Sequence, residues 1–296
     1  MTRKLRLLGA AFATACATGN RGTPVVSTPT AVPPAAPAPV ETVGVPARRP
    51  DAVRYGPSAM RYVVHRRLHI QQALGDQTQA QDLGAQIFVV AAITGPADST
   101  GYPTTFVVDS IVADSGTPAP IVESVNKVRK LVFAGRVTPR GEFVNGLASD
   151  STAAQSVVQL LGNFHDFLPR LPSDGLKPGT AWTDTVETTQ RGSGSEVSRR
   201  AVTQATAAAW EDHLGTRSMR VIGSQTYRVA GGGKNAGQPF ELSGAGTGSG
   251  TAIITADGRY LGGEWQDSTT LTVRLPVQGV AVPVVQVTRT TVTVLP

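Results

Sequence analysis

Four glycines at alternate positions stand out first: Gly244, Gly246, Gly248 and Gly250 in the run Gly-Ala-Gly-Thr-Gly-Ser-Gly. A glycine-rich loop can cradle a phosphate when it follows a strand and opens a helix, because backbone N–H groups and the helix N-terminus then meet the anion. Here the chain continues Thr251-Ala-Ile-Ile-Thr-Ala-Asp-Gly, which reads as strand and hairpin, and no lysine follows in the phosphate-loop position. The spacing predicts instead one strand with all four glycines on the same face. Such a bare face allows sharp coiling of the sheet, or close approach of a helix or a tryptophan.

The four histidines are the other candidates for acid–base or metal chemistry. His65 and His69 fall on an alternating segment, where four residues span about 13 Å, too far to share a metal. His165, followed by Asp166, falls in the last turn of an expected helix, where the dipole favours a cation. His213 follows Glu211-Asp212 in an expected turn. The chain has no G-x-S-x-G, no H-E-x-x-H and no Cys/His pairing. No catalytic residue, metal ligand or cofactor is assigned. A serine–histidine–acid group assembled from distant residues stays open as a hydrolase reading.

The one cysteine, Cys16, has a different chemistry. Arg3, Lys4 and Arg6 precede the apolar run from Leu7 to Ala15, which is too short for a bilayer span of about 20 residues and fits a signal peptide over residues 1–15. Ala13-Thr-Ala-Cys16 resembles a bacterial lipobox, with Ala where Leu is usual. That resemblance implies lipidation of Cys16, and Ala17 in place of Asp implies the outer membrane. The alternative is an ordinary signal peptide with an incidental cysteine. Residues 16–57 then form a lipidated cysteine and a Pro/Ala-rich tether, with eight prolines from Pro24 to Pro50. Residues 1–50 also carry five of the six net positive charges, so the remainder has no basic face and no nucleic-acid partner is expected.

Residues 58–296 read as one β-rich domain: a first half, 58–172, with two helices, and an all-strand second half, 173–296. Tyr62, Val64, Leu68 and Ile70 alternate with His65, Arg67, His69 and Gln71, which is a half-buried strand. Ile87 to Ile93 is apolar at both parities and is expected to be covered twice. One helix is expected after Thr117-Pro118, and a second from Asp150-Ser151 to Leu168, with Val157, Leu161, Phe164 and Leu168 on its sheet-facing side. Asp257-Gly258 predicts a two-residue type I′ hairpin. The fold expected is mainly β: a strongly curved antiparallel meander or open half-barrel of about eleven strands, with two helices on the concave side.

The segment from Phe164 to Trp182, with Leu171-Pro172, Leu176-Lys-Pro-Gly179 and Trp182, resembles an "lP…vkpGdsW" signature of uncharacterised secreted bacterial lipoproteins. The Gly246–Leu261 stretch echoes a later strand of that family. Gly-Thr-Ala-Trp departs from the commoner acidic residue before Trp, and the resemblance implies no catalytic residues. A looser likeness to periplasmic lipoprotein carriers is one of fold only. The function expected is therefore that of a non-enzymatic cell-envelope lipoprotein, joined to the membrane by its anchor, with a hydrophobic small molecule or lipid in the concavity. Val157, Leu161, Phe164, Leu168, Trp182, Tyr227 and Trp265 are the candidates for that concave face. The alternative is a scaffold whose concavity its own helices fill. Cys16→Ser is expected to move the protein from the membrane to the soluble fraction on fractionation; retention in the membrane would refute the lipobox.

Overall fold

The computed structural model describes residues 52–75, 77–128, 130–156, 164–192, 194–235 and 237–296. Period-two alternation runs through nearly all of them, and the chain builds strands accordingly. They are β1 (Ser58–Leu74), β2 (Gln77–Ile93), β3 (Tyr102–Ala113), β4 (Leu131–Val137), β5 (Phe143–Ala148), β6 (Ala181–Gly192), β7 (Ser195–His213), β8 (Thr216–Asn235), β9 (Gln238–Thr255), β10 (Tyr260–Leu275) and β11 (Val280–Leu295). Helices α1 (Ala119–Lys127) and α2 (Ser151–Ser156) are short.

All eleven strands belong to one antiparallel sheet in the order β5-β4-β3-β2-β1-β11-β10-β9-β8-β7-β6. It is a curved, unclosed half-barrel, as the sequence implies, but it is not one continuous meander. Two meanders, β1–β5 and β6–β11, are joined by β1 pairing with β11, from Arg61↔Leu295 to Gln72↔Val284. The free edges are β5 and β6, and the chain that passes between them includes α2 and a 3-10 turn at Phe164–Asp166.

One face carries the core. Tyr62, Val64 and Leu68 on β1, Ile87 and Val89 on β2, Phe106 and Val108 on β3, and Met219 and Val221 on β8 are all buried. The double cover expected of β2 is not found: Phe88, Val90 and Ala92, on the other parity, are only half-buried. A single curled sheet shields its inner side with its own curvature and leaves the outer side to solvent.

The inner face is filled at one end by a plug of rings from the chain between the edges. Phe164 stacks on Phe106 at 4.9 Å and lies 4.7 Å from Phe133, while Phe167 meets Tyr62 edge-on at 5.2 Å. Leu168 and Leu171 are buried beside them. The helix expected to continue to Leu168 does not do so: Phe164–Asp166 is a 3-10 turn, whose three-residue period puts Phe164 and Phe167 on one side. Val157 and Leu161 lie outside the described residues.

Three further expectations change. The linker reaches 57 in the sequence reading, yet Val53 and Tyr55 are each 2% exposed. Val53 pairs with Leu176, and the Tyr55 hydroxyl donates to Pro169 O at 2.9 Å, so the folded part starts earlier. The Asp257-Gly258 hairpin is not type I′, which needs positive φ at both central residues. Only Gly258 has it (φ 81°), and Thr255 N–H bonds Arg259 O across a three-residue loop. The second half also contains one helical element, a 3-10 turn at Pro276–Gln278, where the sequence reading expects no helix.

Phe164→Ala removes the ring that joins the plug to β3 and β4. It is expected to cost about 3–5 kcal/mol in urea unfolding, because a buried ring is lost and the rigid sheet cannot collapse onto the gap. A cost near zero would mean that the plug is not part of the core.

Candidate functional site: a polar belt on the concave face

Strand register assembles a site from residues far apart in the chain. In one row across the inner face lie Asp184 on β6, Thr203 on β7, Gln225 on β8, Gly248 on β9, Asp267 on β10 and Thr288 on β11. The adjacent row on one side reads Trp182, Ala205, Gly223, Gly250, Trp265, Thr290 and Arg66. The row on the other side contains Tyr227, Gly246 and Thr269. A polar belt therefore crosses a face that is apolar at both ends. The ring plug occupies one end, and a smaller cluster of Val273, Val282 and Val284 occupies the other.

The glycine run forms the middle of β9, as the sequence predicts, and its bare face is covered. A Cβ on Gly250 would come 2.5 Å from Trp265 Cε3, and one on Gly248 would come 2.9 Å from Trp265 Nε1. A Cβ on Gly223, one strand further, would meet Trp265 Cζ3 at 3.1 Å. The indole thus lies flat across β9 and reaches β8. Tyr227 lies over Gly246 in the same way, its Oη 2.5 Å from a Cβ placed there, and Leu271 covers Gly244 at 2.6 Å. The run is a bed for side chains of neighbouring strands, which is the arrangement by which aromatic residues compensate for glycine in a sheet.

Hydrogen bonds fix these groups. Trp265 Nε1–H donates to Asp267 Oδ1 at 3.0 Å. Arg199 Nη2 donates to Gln225 Oε1 at 2.6 Å, and Gln225 Nε2 donates to Thr203 Oγ1 at 2.8 Å. The Arg199 guanidinium also sits 4.4 Å above the Tyr227 ring, a cation–π contact, and the Tyr227 hydroxyl bonds Thr269 Oγ1. Burial pushes the Tyr227 phenol up, against its hydrogen bond with Thr269. Burial likewise pushes the Asp267 carboxyl above the ordinary carboxylate range; the hydrogen bond from Trp265 and the charges of Arg199 and Arg66 oppose the shift, and Asp166 adds to it.

At its β6 end the belt runs into an ion network that links the two sheet edges. Arg140, in the β4–β5 turn, places Nη2 3.3 Å from Asp184 Oδ1. Arg170, in the chain between the edges, reaches Glu142 at 2.9 Å and Asp184 Oδ2 at 3.6 Å.

Of the residues expected on the concave face, Tyr227 and Trp265 lie in the belt and Trp182 shares the Trp265 row. Phe164 and Leu168 belong to the plug. Asp267, Gln225, Arg199 and Arg66 are not among the residues expected from the sequence on the concave face. Their signal is parity: Arg199 falls in register with Val197 and Ala201, and Arg66 with Val64 and Leu68, so each puts a charge on the buried side of its strand. The histidines take no part. His65 Nε2 lies 3.0 Å from Asp114 and His69 Nδ1 2.8 Å from Asp82, while His165 bonds Phe143 O.

An open groove of about 820 Å³ crosses β6–β9. Ala181, Trp182, Thr183, Thr206, Ile222 and Ser224 are among the residues that line it, and apolar surface predominates over hydroxyls.

No family model and no curated protein matches the sequence. Among solved structures, Pseudomonas aeruginosa OccK2 (OpdF) aligns with 80% of this chain and 98% of its own at 6% identity and a TM-score of 0.22. OccK8 (OprE) of the same organism aligns with 83% and 100% at 9% identity and a TM-score of 0.20. Scores at this level carry no argument about function. One outward row, Thr185, Val202, Thr226, Thr247 and Ser268, is mostly hydroxyls.

Gly246→Ala and Gly248→Ala drive a methyl into the Tyr227 ring and into the Trp265–Asp267 pair, and each is expected to cost about 1–3 kcal/mol. Thr247→Ala, on the exposed side between them, is expected to stay within about 0.5 kcal/mol, so chemical unfolding reads a period-two pattern. For Asp267, the raised value means that the folded state binds its proton first as pH falls. Stability therefore declines as pH rises from the ordinary carboxylate value through the raised one. Asp267→Asn keeps an oxygen for Trp265 and removes the charge. It is expected to be the more stable protein at neutral pH and to lose that decline; a less stable variant at pH 7 would mean that pairing with Arg199 and Arg66 outweighs burial.

Proposed function

We propose that this protein is a non-enzymatic cell-envelope lipoprotein that binds a small ligand on the polar belt of its concave face. The leader and Cys16 support the address: a basic n-region, a short apolar run and small residues before the cysteine. The anchor joins the folded sheet to the outer membrane.

The observation that carries the binding reading is the Trp265–Asp267 pair laid across the glycine strand. A flat indole, a carboxylate, an amide and a guanidinium converge on one half-open surface, held by strands rather than loops. The ligand expected from the sequence is a hydrophobic small molecule or lipid. The rings of Phe164 and Phe167 occupy the apolar end, so the remaining surface suits a ligand with one apolar face and a polar rim. Binding rather than catalysis fits the histidines, since His65 and His69 pair with carboxylates on the outward face and His165 with a backbone oxygen. A scaffold role has its own support in the plug, which fills part of the concavity from within.

Native mass spectrometry tests the choice. Residues 52–296, incubated with a small-molecule extract of bacterial envelopes and desalted, are expected to retain a species of discrete mass that Trp265→Ala, checked for folding by circular dichroism, does not retain. No retained species with either protein would favour the scaffold.

A further inference from the structure

Resting on the binding reading, we propose that the belt is a saccharide subsite: the Trp265 indole takes the C–H face of a sugar ring, and Asp267, Gln225 and Arg199 take its hydroxyls.

The chemistry of the groups narrows the ligand. One face of the Trp265 ring lies on β9 and β8, and the residue remains half-buried rather than buried. No other aromatic ring stacks on it among the described residues, and its second face, on the concave side, is the proposed platform. A platform alone would accept any flat or apolar group. Asp267 and Arg199 discriminate. An alkyl chain laid along the belt would desolvate a carboxylate and a guanidinium with nothing to replace water, a large cost for each. A phosphate or other anion would meet the Asp267 carboxylate beside the indole. A neutral polyol suits both, because each hydroxyl can donate to a carboxylate and accept from a guanidinium or amide, and the pyranose ring turns axial C–H bonds to one side.

The belt keeps capacity for such a ligand. Asp267 has two oxygens, and its one hydrogen bond among the described residues comes from Trp265 to Oδ1. Arg199 has five N–H groups and, among the described residues, gives one hydrogen bond, from Nη2 to Gln225. Hydroxyl donors to Asp267 would also stabilise the charge that burial disfavours. Trp265 and Asp267 are two residues apart on one strand, so a single ring stacked on the indole brings its edge hydroxyls to the carboxylate. The fixed β9 bed holds the indole in place before the ligand arrives, which lowers the entropic cost of binding.

The three tryptophans give three indole N–H signals in proton–nitrogen correlation spectra, and Trp265→Phe assigns one of them. Its proton lies in the bond to Asp267, so it reports directly on that pair. On titration of residues 52–296 with cellotetraose and with the tetramer of β-1,4-linked N-acetylglucosamine, the Trp265 signal is expected to shift saturably at up to about 10 mM with one or both, as for a weak single-ring subsite. The Trp182 and Trp210 signals should stay in place. Asp267→Asn should weaken the response about tenfold or more, the loss of a hydrogen bond to a charged acceptor. No shift with either tetramer, or equal affinity in Asp267→Asn, overturns the saccharide assignment. A saturable shift with a monoacyl phosphocholine below its micelle concentration, and none with the tetramers, overturns the saccharide assignment and leaves the binding reading standing. Silence with all three probes removes both.

Discussion

The β1–β11 ladder is the contact on which the rest of this molecule depends. It joins the earliest strand to the last, over twelve paired positions from Arg61↔Leu295 to Gln72↔Val284. Without it there are two separate meanders, each with its apolar side bare. With it the two form one wall long enough to curl, and curling replaces the second sheet that a sandwich would supply. The ladder also decides where the sheet is open. Because the first and last strands meet in the middle, the free edges fall at β5 and β6, and the connection between them has to pass from one side of the opening to the other.

That connection fills one end of the concave face and ties its free edges together. It brings Phe164, Phe167 and Leu171 onto the inner surface, where Tyr62, Phe106 and Tyr260 wait on strands of both meanders. It also delivers Arg170 to Glu142 and Asp184, with Arg140 completing a network that ties the β4–β5 turn to β6 where backbone pairing is lacking. Beyond the plug the inner face has no such filler. There the sheet covers itself: glycine rows on β9 let Trp265, Tyr227 and Leu271 lie down across a neighbouring strand. The polar belt is what this arrangement leaves between two apolar ends.

Much of the fold is legible because strands with one buried face write their parity into the sequence. Tyr62, Val64 and Leu68 against Arg67 and Gln71 is such a pattern, and the glycine run reads as strand because Thr251–Gly258 continues it as strand and hairpin. Topology is less legible, since antiparallel neighbours in sequence suggest one meander and nothing local marks β1 as the partner of β11. The plug reads as helix because Phe164 and Leu168 also satisfy helical spacing; ring packing against Phe106 selects the 3-10 turn. The binding belt is half visible. Trp265 and Tyr227 stand out as large residues on the inner parity. Asp267, Arg199 and Arg66 do not, because a charge in an apolar register looks like noise until the register of seven strands places it beside others of its kind.

Amide hydrogen exchange on residues 52–296 tests the central claim of an open sheet welded at β1–β11. Amides of β1 and β11 have partners on both sides and are expected to exchange only with global unfolding, at every position along the ladder. On β6, with β7 on one side only, protection should alternate, the amides turned away from β7 exchanging fast. Uniform protection along β6, or rapid exchange along β11, would contradict this account: the first would mean a closed barrel and the second a sheet divided in two.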